Sequence, residues 1–392
     1  MRLTVVVDRR YWMTPDGAMW TRMPPDWRFF QRHTEVFGEV RVLARVLNVE
    51  EPPERAIRAD GPGITFLPIP NYEGPVQFAA RAWQVWRSAR RAFRGPEAVL
   101  LRVPSHLANC LSLRNACYGV EVLADPEELY ASGTSGTPFC GVYRAWFRRN
   151  LLRQCREAIA VSYVSENLAA KYPAASRHIL LDLELPGEAF GSTRRRPRKK
   201  EFDLVTAGGF DHPVKGHDVL IRAAAEANKR GVPLRLSIVG EGRLRKELHQ
   251  LALQEGVDCR FVGQLDGASE VREALRAADV FALASRSEGK PRVLIEAMAL
   301  GVPAVATAVG GIPEVLSAEQ CVPRDDADAL AAVITRTLRD GARYERVSEQ
   351  GIAAARPFAL SEQWSRRKEF LFALKDGCRA ELLNRSVSRA KH

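Results

Sequence analysis

Two glutamates, Glu288 and Glu296, stand with seven residues between them in Ser285-Arg-Ser-Glu-Gly-Lys-Pro-Arg-Val-Leu-Ile-Glu-Ala-Met-Ala-Leu-Gly-Val-Pro-Ala-Val-Ala-Thr307. Carboxylates accept hydrogen bonds from adjacent hydroxyls, which suits a ribose diol or a hexose. A strand over 280–284 ends just before them. A loop then carries Glu288, Gly289 and Lys290, and a helix starts at Arg292 or Val293. Backbone N–H groups at a helix start lack internal partners and the dipole is positive there, so an anion can sit against it. Gly289 lets the loop backbone approach a phosphate closely. With Glu288 in the loop and Glu296 in the first helical turn, both can face one cleft. Taken alone, the pair also fits a solvated loop residue and a helix-terminal charge favoured by the dipole.

Such residues need a scaffold that delivers loops to one rim. In the first half, apolar runs at 3–7, 40–46, 64–69, 99–103, 120–124 and 158–163 read as strands. Stretches 76–94 and 139–156 read as helices with Arg on the outer face. A second series alternates strands at 203–207, 234–239, 259–262, 280–284 and 304–306 with helices at 218–230, 244–255, 271–277, 293–301 and 327–340. This alternation implies right-handed crossovers and parallel sheets. The expected class is α/β, with two doubly wound, Rossmann-like domains facing each other across a cleft, where ligands bind at the carboxyl ends of strands. The expected boundaries are 1–193, a basic linker 194–200, and 201–360, with a helix over 361–392 free to pack back on the first domain.

The string around the two glutamates resembles the E-x7-E signature of the retaining family-four glycosyltransferases, which have the GT-B fold. Gly208-Gly-Phe-Asp-His-Pro-Val-Lys-Gly-His looks like that family's first donor-domain loop. Ser237-Ile-Val-Gly-Glu-Gly-Arg, Cys259-Arg-Phe-Val-Gly-Gln-Leu and Val309-Gly-Gly-Ile-Pro-Glu-Val follow in the family's order and spacing. The resemblance covers about residues 203–340. It implies a nucleotide diphosphate sugar, UDP- or GDP-linked, held by the C-terminal domain as donor substrate, with no cofactor. The acceptor, a glycan, a lipid-linked sugar or a small molecule, would lie on the N-terminal domain.

By that resemblance Glu296 holds the ribose hydroxyls, Glu288 contacts the donor hexose, and Lys215 neutralises the diphosphate leaving group. Gly240, Glu241 and Gly263 fall where the family lines the base pocket, although turns also use such residues. Many relatives carry Arg six residues before the Lys, and here that position is Gly209. Arg292, just after Lys290-Pro291, is the candidate for the second cation. Leu101-Arg-Val-Pro-Ser-His and Glu121-Val-Leu-Ala-Asp-Pro-Glu-Glu look like strand-end loops of polysaccharide-assembly members. His106 and Asp125 are therefore candidates to meet the acceptor hydroxyl or the transferring sugar. Gly17 is the candidate flexible turn near the donor phosphate. Tyr11, Trp12, Trp20 and Trp27 crowd that segment, and sugar stacking, core packing and a membrane interface all suit them. The implied mechanism is front-face transfer through an oxocarbenium-like transition state, with the leaving phosphate oxygen assisting deprotonation. Asp326-Ala-Asp328 spells D-x-D but reads as a helix cap, and no metal site is expected.

The rest of the sequence narrows the alternatives. Its 392 residues are 46% hydrophobic and 27% charged, as in a soluble globular protein of two domains. The net charge of +11 raises nucleic acid and acidic membranes as partners. More than half of that surplus sits in 194–200, where six residues are basic and none acidic. No aromatic residue interleaves this run, so a nucleic-acid partner is not expected. Docking on anionic lipid, worth roughly 1 kcal/mol per basic residue, stays open. Seven dispersed cysteines without a C-x-x-C pair read as reduced thiols. The N-terminal pattern lacks an apolar leader and no run is long enough to span a bilayer, so the expected location is cytoplasmic, peripheral at the inner membrane face. A GT-B nucleotide-sugar epimerase or hydrolase is the nearest alternative activity.

Overall fold

The computed structural model describes residues 1–92, 97–111, 116–129, 140–181, 183, 185–265 and 267–390. Residues 93, 94, 139, 391 and 392, at the ends of expected helices, lie outside that set. The first sheet contains β1 (Arg2–Met13), β2 (Met19–Thr21), β3 (Val40–Asn48), β4 (Ile57–Arg58) and β5 (Ile64–Pro70). It is completed by β6 (Glu97–Val103), β7 (Cys117–Val122), β8 (Ala160–Tyr163) and β9 (Arg177–Ile179). Its parallel order is β5-β3-β1-β6-β7-β8-β9, with β2 and β4 added antiparallel at the end of β1. The second sheet contains β10 (Phe202–Ala207), β11 (Leu234–Val239), β12 (Asp258–Gly263), β13 (Val280–Leu283), β14 (Ala304–Thr307) and β15 (Cys321–Val322). Its order is β12-β11-β10-β13-β14-β15, all parallel.

The helices of the first part are α1 (Trp27–Phe37), α2 (Gly74–Ala92), α3 (His106–Cys110), α4 (Pro126–Leu129), α5 (Cys140–Glu157) and α6 (Glu166–Lys171). Those of the second are α7 (His217–Lys229), α8 (Arg245–Gln254), α9 (Ala268–Ala277), α10 (Arg292–Ala299), α11 (Ala327–Arg339) and α12 (Gly341–Ala355). A last helix, α13 (Leu360–Ala390), ends the described chain.

Strands buried on both faces read as continuous apolar runs, and every residue of β6, β7 and β13 is buried. Helix α10 is apolar nearly all round because it is enclosed. Leu294, Ile295 and Met298 are almost fully buried, each contributing about 1.5–3 kcal/mol. In both sheets the chain runs outward in one direction and then restarts on the other side of its first strand. The reversal falls between β1 and β6 in one sheet and between β10 and β13 in the other. Loops leaving these strands part around a crevice, which is where such folds take ligands.

Two departures from the sequence reading have physical causes. First, β1 continues to Met13 instead of ending near Val7. It does so across a bulge: Val7 pairs with Ala44 and Arg10 with Arg45, leaving Asp8 and Arg9 unpaired with β3. A bulge re-aims side chains at a sheet rim. Second, the basic segment is not a wholly solvated run. Arg194 donates to the carbonyls of Leu300 at 3.2 Å and Ala278 at 2.8 Å. Arg196 donates to Leu338 O and lies over the Phe202 ring. These carbonyls lie at the C-terminal ends of α10, α9 and α11, which attract cations. Lys199 bonds Asp203 at 2.6 Å and Asp279 at 2.5 Å. The last helix, α13, packs on the first sheet, within the range the sequence reading allowed. Phe370, Leu371, Leu374 and Cys378 are fully buried in a cluster with Leu3, Val5, Val42 and Leu100 of the first sheet.

Candidate functional site

Lys215 and Glu288 come from the two strands that flank the reversal in the second sheet. The β10 loop ends at Lys215, and the β13 loop carries Glu288. Lys215 Nζ donates to Glu288 Oε1 at 2.5 Å, and Ser285 Oγ donates to the same oxygen at 2.7 Å. The loops meet because glycines let backbones touch. A Cβ at Gly216 (φ +63°) would sit 1.9 Å from Ala284 O, and one at Gly310 (φ +54°) would sit 1.6 Å from Glu288 O. Gly311 N donates to Gly289 O at 2.7 Å, so the Gly-Gly-Ile-Pro-Glu loop braces the loop that carries Glu288.

Glu296 is the fifth residue of α10, just past the first turn in which the sequence reading put it. Its side chain is half-buried, and the buried Oε2 has no hydrogen-bond partner among the described residues. Burial raises its pKa above the ordinary glutamate value, against the opposing pull of Arg272 and Arg292. An acceptor atom left unmatched in this way is costly, so hydroxyl donors gain by meeting it. Arg292 opens α10, and Lys290 is tied to Glu314 at 2.8 Å. Gly240 N donates to Gly263 O at 2.9 Å, joining the β11 and β12 loops. Glu241 is held by Arg245 at 3.1 Å, and Gly209 lies beside it with only Glu241 O near where a Cβ would stand.

Between the sheets lies a cavity of 680 Å³. Its second-sheet wall includes Ala268, Arg272, Lys290, Arg292 and Glu296. Its first-sheet wall includes Asp8 and Arg9 from the β1 bulge, Arg102 from the end of β6, and Asp26, Arg28, Phe29 and Arg32 at the start of α1. The sequence reading passed over these arginines. One signal was present: Asp8 and Arg9 directly follow the apolar run of β1, at a strand end.

His106, Asp125 and Gly17 are not among the residues lining that cavity. The His106 ring is packed between Phe78 of α2 and Phe147 of α5, at centroid distances of 5.2 and 4.9 Å. Burial lowers its pKa. Asp125 accepts from Tyr172 Oη at 2.7 Å, Lys171 Nζ at 2.6 Å and Glu127 N at 2.9 Å. Gly17 turns the β1–β2 hairpin with φ +81°. Across that hairpin Trp12 faces Trp20, whereas Tyr11 is wholly buried and donates to Pro25 O at 2.9 Å. Asp326 caps α11, accepting from Ala329 N at 2.8 Å. Among the described residues no three His, Cys, Asp or Glu side chains gather as a metal set.

Known proteins match at both the sequence and the fold level. Residues 192–354 match the family described as Glycosyl transferases group 1. Over 319 residues, 79% of this chain and 80% of the relative, it is 23% identical to Protein CapJ of Staphylococcus aureus. It is 28% identical over 211 residues to the amylovoran biosynthesis glycosyltransferase AmsK of Erwinia amylovora, covering 48% of this chain and about half, 52%, of that protein. The Anabaena Alr3699/HepE structure with UDP and glucose superposes with a TM-score of 0.66 at 15% identity, over 95% of this chain and 99% of that one. The chain has the two-domain α/β GT-B fold.

Proposed function

We propose that this chain transfers a sugar from a nucleotide diphosphate sugar to an acceptor hydroxyl, in the making of a polysaccharide, a glycolipid or a glycosylated metabolite. One observation carries the reading: two strands flanking the reversal of the second sheet bring Lys215 and Glu288 together at 2.5 Å. The group 1 domain and the printed activity of AmsK support glycosyl transfer. The UDP and glucose bound by HepE favour a UDP-sugar over a GDP-sugar. In this scheme residues 1–193 receive the acceptor, 194–200 form the linker and 201–360 hold the donor.

The leaving group is a nucleoside diphosphate, whose charge grows as the anomeric C–O bond lengthens. Lys215 stabilises that charge, with Arg292 serving where Gly209 replaces the arginine of many relatives. Lys215 thus exchanges Glu288 for a phosphate oxygen, and Glu288, still held by Ser285, turns to the donor hexose. Glu296 Oε2 accepts the ribose hydroxyls, and Gly240, Glu241 and Gly263 border the base. Gly289 lies against the phosphates. On the acceptor wall, the carboxylates are committed. Asp8 accepts from Tyr72 Oη at 2.7 Å and His106 N at 2.9 Å, and Asp26 caps α1. The leaving phosphate oxygen therefore takes the acceptor proton, giving displacement on one face with retention. Cations and the α10 start supply the charge that a divalent ion would bring.

The proposed setting is the cytoplasmic face of a membrane. The linker is a poor lipid anchor because half of its cations are bonded to the C-terminal part. The α5 face suits the contact better, with Val142 68% exposed next to a groove lined by Gly141, Arg144, Arg148, Arg149 and Arg153. Among the described residues no helix is long and apolar enough to cross a bilayer.

Thermal denaturation against a panel of UDP- and GDP-sugars tests the reading. The correct donor raises Tm, and Glu296→Ala abolishes the rise. Silence of the wild type towards every donor would sink it. Donor consumption without any acceptor would favour the epimerase or hydrolase.

A further inference from the structure

We infer that Arg286 is a positioning residue for Lys215: it clamps the turn that carries the lysine and so aims the ammonium at the donor's diphosphate. The inference rests on reading Lys215 as the cation that meets a nucleoside diphosphate.

Lys215 stands on a weak support. It ends a three-residue 3₁₀ turn, Pro213–Lys215, whose first flanking residue, His212, offers no side-chain cap. Gly216 follows in the left-handed region, at φ +63°. Short 3₁₀ turns have poor hydrogen-bond geometry, and inside this one Gly216 N donates to Pro213 O at 3.1 Å. The lysine side chain runs along the backbone of Gly208, where a Cβ would stand 3.3 Å from its methylenes. Nothing in the turn itself fixes the direction in which that side chain leaves.

Arg286 supplies the missing support from the β13 loop, two residues before Glu288. Its backbone N donates to Val214 O at 2.7 Å and its Nη1 to Pro213 O, so one residue holds both carbonyls that precede the lysine. The same guanidinium grips Asp218, in the first turn of α7, as a fork: Nη1 to Oδ1 at 3.0 Å and Nη2 to Oδ2 at 2.9 Å. Its Nε donates to Asp325 Oδ1 at 2.6 Å. Asp325 holds φ at +61°, a left-handed conformation that non-glycine residues keep only where their surroundings impose it. Asp218 and Asp325 meet their other arginines, Arg222 and Arg324, only at 3.6 and 3.5 Å. All three guanidinium nitrogens of Arg286 are thus spent on protein acceptors, and its influence on a ligand must pass through the residues it holds. It ties the lysine's turn, the start of α7 and the loop of Glu288 into one unit. A lysine at 286 would keep the charge and lose the planar fork.

Calorimetry on the full chain with UDP and with uridine decides. Uridine lacks the diphosphate, so it reads the integrity of the site without calling on Lys215. Arg286→Gln should weaken UDP binding about tenfold, the value of one charged hydrogen bond, and leave uridine binding unchanged. Arg286→Lys should lose as much, because charge alone does not aim the turn. In a Lys215→Ala background neither substitution should weaken UDP further, since two residues acting through one contact are not additive. Unchanged UDP affinity in Arg286→Gln overturns the inference, and so does full affinity in Arg286→Lys. A parallel loss of uridine binding, or a loss that persists without Lys215, shows a merely structural role and overturns it as well. A wild type that binds UDP no more tightly than uridine overturns the parent reading of Lys215, and the inference with it.

Discussion

On the donor wall, reactive side chains hang from loops pressed together backbone to backbone. Gly310 lies against the carbonyl of Glu288 and Gly216 against that of Ala284, with no room for a Cβ at either place. On the acceptor wall no such contacts govern. Charged side chains reach the cavity from a bulged strand, a neighbouring strand end and one helix, and Arg102 and Arg367 enclose the ring of Phe29 at 4.5 and 5.1 Å. The difference teaches where tolerance lies. Geometry on the first wall is set by excluded volume and fails abruptly. The second is lined by charged side chains that carry no such backbone constraint, so in the proposed scheme it is the wall that tolerates substitution.

Four measurements can break or sharpen that contrast. Lys215→Ala should lower kcat by about 10²–10³, the loss typical of a cation or donor aimed at developing charge. An unchanged kcat would remove Lys215 from the chemistry. Gly310→Ala should cost about 100-fold in activity, because a displacement near 1 Å misplaces Glu288. It should also cost about 1–3 kcal/mol of stability from overpacking. A fully active Gly310→Ala variant would deny the donor wall its rigidity. Glu296→Gln should weaken UDP binding about tenfold, the value of one charged hydrogen bond. The same variant should melt higher than wild type at neutral pH. The sign follows from burial: a carboxyl whose folded pKa is raised favours folding below its unfolded pKa, and that contribution is lost as pH rises through the folded value. A lower Tm at pH 7 would show that the buried carboxylate is stabilised by its arginines. The smallest effect is expected outside the cleft. Arg148→Gln with Arg149→Gln should reduce co-sedimentation with phosphatidylglycerol vesicles by roughly 2 kcal/mol equivalent, whereas Arg195→Gln with Arg198→Gln should change it less.

The same contrast explains what the sequence could reveal. The donor wall is written in contiguous strings, since a loop, its glycine and its helix must be neighbours in the chain. Glu288 and Glu296 could therefore be singled out by their spacing, and Lys215 by the resemblance of its loop; the structure brings Lys215 and Glu288 together. The acceptor wall joins residues 9, 28, 32 and 102, and only the bulge and the sheet order bring them together. The resemblance of two strand-end loops pointed to His106 and Asp125, neither of which lines the cavity. It could not foresee that one ring turns into an aromatic cluster and that the other carboxylate is taken by Tyr172 and Lys171. The linker was misjudged for a related reason: the helix-end carbonyls that bind Arg194 and Arg196 belong to residues up to 142 positions away.

The return of α13 to the first sheet means that the polypeptide passes between the two halves twice. The passages run side by side. Leu185 N donates to Phe358 O at 3.3 Å, and Leu360 N donates to Leu185 O at 2.9 Å. A single tether would behave as a ball joint, leaving the halves free to swivel. Two strands of chain stitched together define a line, so the cleft must swing about it like a door on a pinned edge. Arg367, on the returning helix, holds Glu121 at 2.7 Å, and Glu121 holds Arg102 inside the cavity. The pinned edge is thereby wired to the first-sheet wall of the cavity, the wall the proposed function gives to the acceptor.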